Sequence, residues 1–399
     1  MVRPGENGLR LRRRLLTIAA CAVVCGLLWG LSFWPAALES IYAHGLGFQI
    51  ARVLSFTSGI LPISLAELSL AALVLGALTT FVRSAIGVVQ RRRSVISVLV
   101  NGSLRVMVFA AVTFTVFYLS WGLNYSRAPI AGRLGWLPLD ARTDDTVRQR
   151  EIDEIATFTR DLVEATNLAY RAMAGSDDLG RPTGSEEGVG DLRSALDAGY
   201  EKVQARLGLE PAVGAARGRP KPILGSALLN HLRLTGFYFP WTGEANYNRL
   251  MPAAELPRTI AHEQGHQRGY AREDEANFLG YLACILSAHP LARYSGYLFG
   301  QEQLLRELIR RDLPRYREIA AQRSPGVKRD LDYIRAYWSQ FEGAAARVSL
   351  SVNDIFIRAH GDRRGVAAYA ASRNLIVLFA RSNGGSAVVS DDLRGARLR

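Results

Sequence analysis

Three long apolar runs in the first third of the chain constrain its folding more than any other feature. They are LLTIAACAVVCGLLWGLSFW from Leu15 to Trp34, ILPISLAELSLAALVLGALTTFV from Ile60 to Val82, and VMVFAAVTFTVFYLSWGL from Val106 to Leu123. A hydrocarbon core of ~30 Å needs about 20 such residues in a helix. The pattern predicts three transmembrane helices, at about 15–36, 60–82 and 106–123, in a membrane domain of residues 1–123. Residues 124–399 have the charged, helix-rich character of a water-facing domain.

Arginine placement predicts orientation. Arg10, Arg12, Arg13 and Arg14 precede the first run, and Arg83, Arg91, Arg92, Arg93 and Arg105 lie between the second and third. The link between the first two runs holds only Arg52. The positive-inside rule then puts the N-terminus and the 83–105 link in the cytoplasm. The expectation is a multi-pass protein of the cytoplasmic membrane with residues 124–399 outside the cytoplasm. A cleaved signal peptide is the competing reading of the first run, with small residues at Ala36 and Ala37, but the run exceeds the usual ~7–15-residue signal core. Glu67, early in the second run, is read as lying at the outer interface, with the membrane core starting near Leu68.

The formal net charge of +13 is largely explained by this topology-setting arginine. The remaining arginines are scattered and not interleaved with aromatic residues, so no nucleic-acid partner is expected. Two of the three cysteines, Cys21 and Cys25, lie in the first run and only Cys284 lies beyond it. That excludes a disulfide scaffold and any multi-cysteine metal site. A bound metal would need nitrogen and oxygen ligands.

The outer domain reads as mostly helical. Ile152, Ile155, Phe158, Leu162 and Val163 recur at helical spacing within 148–171, and a second amphipathic stretch covers 192–207. Residues 175–191 read as a Gly-rich loop and 214–222 as a linker. The aromatic stretch 234–252, broken by Pro and Gly, predicts short strands with turns. Helices are expected at about 258–268, 273–288, 299–321 and 326–346, with two shorter ones near the end. The fold class is mainly α: three membrane helices followed by an α-rich (α+β) domain.

Within this domain, residues 261–277 read AHEQGHQRGYAREDEAN. Pro257 near the start and Gly269 at the end suit one helix. His262 and His266, four apart, project from the same face and can reach one zinc ion. Glu263 flanks the first histidine and can take a proton from a zinc-bound water. A catalytic zinc needs a third protein ligand. Arg272 occupies the third-histidine position of the H-E-x-x-H-x-x-G-x-x-H arrangement and cannot ligate a cation. Glu273 opens the next helix and is the favoured third ligand. Glu275 is the rival but projects to the opposite face. Asn277, one turn beyond Glu273, is expected to hydrogen-bond a ligand from behind.

The pattern His262-Glu263-x-x-His266 followed by Glu273-x-x-Ala276-Asn277 resembles that of gluzincin metallopeptidases, although only six residues separate His266 from Glu273. Across roughly 60–300 the chain resembles a bacterial family of three-span membrane proteins with an outer zincin-like domain. The resemblance is carried by PISLAE (62–67), WGLNYSRAP (121–129), GFYFPWTGEAN (236–246), HEQGHQRGYAREDEANFLGYLAC (262–284) and YSGYL (294–298). It implies a zinc-dependent peptidase acting on a peptide or protein substrate, with an edge strand within 236–246. That family's activity is itself inferred from its motif.

Other residues are weaker candidates. Gly265, inside the motif, costs a helix up to about 1 kcal/mol relative to Ala, which suggests close packing or substrate approach. Tyr270, Tyr294, Tyr297 and Tyr369 are each candidates to donate to a developing oxyanion. His231, His289 and His360 have no partner at ligand spacing. The sequence therefore predicts a membrane-anchored zinc metallopeptidase, with Glu263 as catalytic base and His262, His266 and Glu273 as metal ligands. The alternative is a non-catalytic, zinc-stabilised membrane receptor or assembly factor that binds peptides.

Overall fold

The computed structural model describes residues 4–92, 94–136, 144–174 and 189–389. Arg93 and most of the 175–191 loop lie outside these described residues. The fold is mainly α, as expected, with one three-stranded sheet among the described residues.

Three helices are long and apolar enough to cross a membrane: α1 (Pro4–Leu31), α3 (Leu65–Val89) and α4 (Val95–Ser120). The shorter α2 (Gly47–Gly59) lies between the first two. The three long helices leave their apolar side chains uncovered by the rest of the chain, as at Phe81 and Val89. Helices that are apolar all round need either a protein core or lipid about them. Each is displaced from the run that predicts it, and capping sets the starts of the second and third. Ser64 and Ser94 accept from the amides of Glu67 and Ser97, both at 3.2 Å, so α3 starts at 65 and α4 at 95. α1 and α4 run parallel, with Arg14 hydrogen-bonded to Asn101 and Cys25 to Thr115. The N-terminal arginines and the link after α3 therefore share one end.

Two long helices, α5 (Asp145–Ala174) and α6 (Val189–Leu207), precede the sheet. The sheet consists of β1 (Lys221–Ile223), β2 (Gly236–Phe239) and β3 (Glu244–Asn248), with α7 (Ser226–Leu232) between β1 and β2. The spatial order is β1-β3-β2: β1 is parallel to β3 and β2 antiparallel to it, with Gly236 opposite Tyr247. The expected strands of 234–252 are present. The expected linker at 214–222 ends in β1, where Lys221 is wholly buried and bonded to Glu244 and the carbonyls of Ser58 and Ile63. A lone lysine between prolines reads as solvated in sequence, and only these distant partners make its burial tolerable.

The sheet is fixed to the ends of α3 and α4. Glu244 accepts from the amides of Leu65 at 3.0 Å and Ala66 at 2.8 Å, and Ser64 donates to Asn246 at 2.8 Å. Glu67 accepts from the amides of Leu224 and Gly225, both at 2.8 Å. It stands in the first turn of α3. Trp241 donates to the Thr113 carbonyl of α4 at 3.2 Å.

Seven helices complete the chain: α8 (Leu256–Gln267), α9 (Glu273–Ile285), α10 (Pro290–Arg311), α11 (Leu313–Ala321), α12 (Pro325–Ser339), α13 (Ala344–Ala359) and α14 (Ala368–Ser382). The helix expected at 299–321 is two helices, and the first starts nine residues early. Pro290 occupies its first turn, while Asp312 breaks the run and caps α11 by accepting from the Arg315 amide. At the centre of the core, Phe278, Leu279, Tyr281, Leu282, Ala283 and Cys284 of α9 are all fully buried. This helix is surrounded by α6, α8, α10 and α14.

Candidate metal centre

Helix α8 carries His262, Glu263 and His266, and its end sets the geometry of the last. Gly269 adopts a left-handed φ of +91°. This lets the Tyr270 amide reach the Gly265 carbonyl at 3.2 Å and the Gly269 amide reach the His266 carbonyl at 2.8 Å. These two bonds form a Schellman cap, which satisfies carbonyls the helix would leave open. The cap turns the Tyr270 carbonyl back toward the helix, where it lies 2.7 Å from His266 Nδ1. An Nδ1–H donated there leaves the Nε2 lone pair free to face the site.

The chain then re-enters a helix at Glu273, and α9 packs closely on α8. Small residues permit the approach. A Cβ on Gly265 would lie 3.1 Å from the Tyr200 hydroxyl and 3.4 Å from Ala276 Cα, and one on Gly280 would lie 2.9 Å from the His262 amide nitrogen. Gly265 thus serves close packing; the matching requirement at Gly280 has no signal in the sequence pattern.

This packing brings Glu273 Oε2 to 3.2 Å from His262 Nε2 and 3.5 Å from His266 Nε2. Neither approach has hydrogen-bond geometry, and Glu273 Oε2 has no hydrogen-bond partner among the described residues. The donor atoms of His262, Glu263 and His266 lie within 4.8 Å of one another. Glu263 Oε2 is likewise buried without a partner. Glu275 faces away, accepting from the Ile130 amide at 2.7 Å. The carboxylate beside the two imidazoles is that of Glu273.

One expectation needs correction. The Asn277 side chain has no hydrogen bond to His262, His266 or Glu273. It donates to the Tyr369 carbonyl at 3.3 Å and accepts from Arg258 at 3.5 Å, because α9 turns it toward α14 and not toward α8's histidines. His262 Nδ1 is left buried without a partner among the described residues. Of the four candidate tyrosines, three are engaged elsewhere: Tyr270 with Glu210, Tyr294 with Asp330 and Tyr297 with the backbone of Val389. Only Tyr369 reaches the site, its ring 6.3 Å from that of His262 and its hydroxyl accepting from Asn353 at 3.3 Å. Sequence offers no means of choosing it from the four, since α14 lies about a hundred residues from the motif.

Burial dominates the electrostatics. It pushes the Glu263 carboxyl up to about 8 and lowers His262. At His266 burial also opposes charge, but the Glu273 carboxylate outweighs it and raises the imidazole to about 9. Burial likewise works against the Glu273 charge, and the two imidazoles overcome it, holding this carboxyl below the usual range. Burial raises Glu275 to about 7.

Two imidazole nitrogens and a carboxylate oxygen converging on one point form a donor set suited to zinc. The orphaned, buried Glu273 oxygen between two histidines is the observation that fits a cation there. His262 and Glu263 open onto a cleft of about 1060 Å³, whose walls include Gly236, Arg258 and Tyr369. Gly236 begins β2, the sheet's edge strand, and a Cβ there would lie 2.7 Å from Glu263 Oε1. On the other side, the Trp121 ring, just past α4, stands 6.0 Å from that of His266 and 4.6 Å from that of Tyr238.

No curated protein and no solved structure matches this chain. The family described as a protein of unknown function (DUF3810) matches residues 42–377, which includes the strands, the cleft and every residue of the candidate centre, and the chain belongs to that family.

Proposed function

We propose that this protein is a membrane-anchored zinc metallopeptidase of zincin-like type, with His262, His266 and Glu273 as ligands and Glu263 as catalytic base. The observation that carries the reading is the meeting of Glu273 Oε2 with both Nε2 atoms, beside a buried carboxyl that opens onto a cleft. A zinc ion held there supplies Lewis-acid polarisation of a carbonyl and acidifies a water. The Tyr270 carbonyl orients His266. Glu263, which lines the cleft, would accept the proton from the attacking water and pass it to the leaving amine. The free edge of β2 offers main-chain hydrogen bonds that align an extended peptide past Glu263.

The positive-inside rule supports a cytoplasmic N-terminus, and the shared end of Arg14 and Asn101 is consistent with it. With three spans, the peptidase domain faces the outside of the cytoplasmic membrane.

Metal analysis by mass spectrometry on detergent-purified protein tests the ligand set. The expected result is near-stoichiometric zinc in the wild type, lost in His266→Ala and in Glu273→Ala and retained in Glu275→Ala. A folded wild type without zinc overturns the reading.

A further inference from the structure

α13 presents three different faces. Ala346, Ser349 and Asn353 line the cleft, and Asn353 bonds the Tyr369 hydroxyl at 3.3 Å. Arg347, Ser351, Asp354 and Arg358 form a polar flank. The third face is an apolar stripe at helical spacing, left open among the described residues: Val348 is 63% exposed, Val352 60%, Ile355 66% and Phe356 42%. α7 packs against α13, and two more such side chains adjoin there: Leu228 of α7 at 63% and Leu224, just before α7, at 67%. Six large apolar residues on adjoining segments exceed the scatter normal for a soluble surface.

Both ends of this patch sit where the long apolar helices end. On one side, the amides of Leu224 and Gly225 bind Glu67 in the first turn of α3. On the other, Phe356 packs on the Tyr125 ring at 6.4 Å and on His360 at 4.2 Å, and the His360 ring meets Phe117 in the last turn of α4 at 5.4 Å. The patch thus adjoins the start of α3 and the end of α4, both of which carry exposed apolar side chains.

We infer that α13 and α7 lie in the outer interface of the same bilayer that α3 and α4 cross, α13 as an amphipathic helix with its apolar stripe in lipid and its inner face in the cleft wall. An interfacial helix of this kind buries its apolar face about 5–10 Å into the headgroup and acyl boundary. The cleft then opens at the lipid surface. Resting on the peptidase reading above, this makes the substrate class a polypeptide segment that emerges from the bilayer, in place of a peptide captured from bulk water.

The test is nitroxide accessibility on the full chain in phospholipid nanodiscs. Labels are placed at Val352→Cys and Leu228→Cys, with Ser351→Cys on the polar flank as control. The background carries Cys21→Ala and Cys25→Ala, while Cys284 is wholly buried and stays. The expected result is strong relaxation of the 352 and 228 labels by oxygen dissolved in lipid, loss of their collisions with a water-soluble nickel chelate, and the reverse at 351. Free access of the chelate to 352 and 228 overturns the inference. Protection from both reagents also overturns it, by pointing to a second copy or another protein on the patch. Neither readout depends on metal or hydrolysis, so failure here is distinct from failure of the peptidase reading.

Discussion

The carbonyl of Tyr270 sits 2.7 Å from Nδ1 of His266, and Gly269 is the residue that puts it there. A side chain at 269 meets only ordinary contacts, to Asn124 at 3.4 Å and Arg127 at 3.5 Å. The cost of Gly269→Ala is therefore backbone strain, about 1–2 kcal/mol for a left-handed L-residue. The expected outcome is a thermal unfolding shift of that size together with zinc affinity weakened about tenfold, since partners behind a ligand are worth about 10–100-fold. Unchanged affinity in a chelator competition would show that the Tyr270 carbonyl does not orient the ligand.

Glu263→Gln keeps the shape of the side chain and removes the base. Zinc content is expected to stay at the wild-type level, while hydrolysis of a responsive peptide falls by about 10²–10⁴-fold. Loss of both together would make Glu263 a ligand and not a base.

Gly280→Ala adds one methyl group in the worst place. Its Cβ would press on the His262 amide nitrogen at 2.9 Å and on the Ala261 carbonyl carbon at 3.2 Å, both backbone atoms that cannot swing aside. Overpacking of this kind costs about 1–3 kcal/mol. A lower unfolding temperature with partial zinc loss is expected; a variant as stable and as well loaded as wild type would mean that α8 and α9 are less closely fitted.

Zinc binding should tighten with pH. In the metal-free protein, burial holds Glu263 up to about 8, from an ordinary 4.5, and the Glu273 carboxylate keeps His266 at about 9, from 6.5. Both pKa values are raised, so the folded protein holds protons that the unfolded chain has already released. The stability they add is fully present below 4.5 and 6.5 and is lost as pH rises through 8 and 9. Zinc must displace the His266 proton, so affinity rises about tenfold per pH unit between about 6.5 and 9. Calorimetric titration in buffers of different ionisation enthalpy reads the released proton directly, and a pH-independent affinity would contradict the assignment.

Glu210 anchors a buried charge cluster beneath the site. It accepts from Arg127 at 2.8 Å and Arg133 at 3.1 Å, and from the Tyr270 hydroxyl at 3.2 Å. Burial raises its pKa, but the two guanidiniums prevail and hold it at about 2. A depressed carboxyl stabilises the fold above the ordinary 4.5, and that stability is lost as pH falls from 4.5 toward 2. Glu210→Gln is expected to cost about 3 kcal/mol, because two buried arginines lose a counter-charge. It should also flatten the acid limb of the stability profile measured by denaturant titration.

What sequence reveals here is what local pattern encodes. The apolar runs locate the three long helices, spacing places His262 and His266 on one face, and the helical-face argument separates Glu273 from Glu275 without any fold. The strands of 234–252 follow from aromatic residues between turn formers. What escapes detection depends on contacts far along the chain. Lys221 in the supposed linker is buried because Ser58, Ile63 and Glu244 surround it. Tyr369 and Gly280 matter only once α14 and α9 are packed. The helix expected at 299–321 runs through Asp312 because apolar periodicity continues on both sides of a cap that periodicity does not register. Asn277 occupies the right turn of the right helix but the wrong azimuth, a distinction of one face that only the packing of α14 decides.

The carboxylate of Glu244, which holds the amides of Leu65 and Ala66, stands 179 residues downstream of the first of them. At roughly 5–20 residues per second of synthesis, the amides of Leu65 and Ala66 wait about 10–35 s for this acceptor. For most of that interval Lys221 has not yet been made either. The top of this helix is therefore finished only once more than half the chain has been made, although it is among the first parts to be translated. A ribosome stalled before residue 244 would display a nascent chain whose α3 terminus still exchanges its amide protons freely.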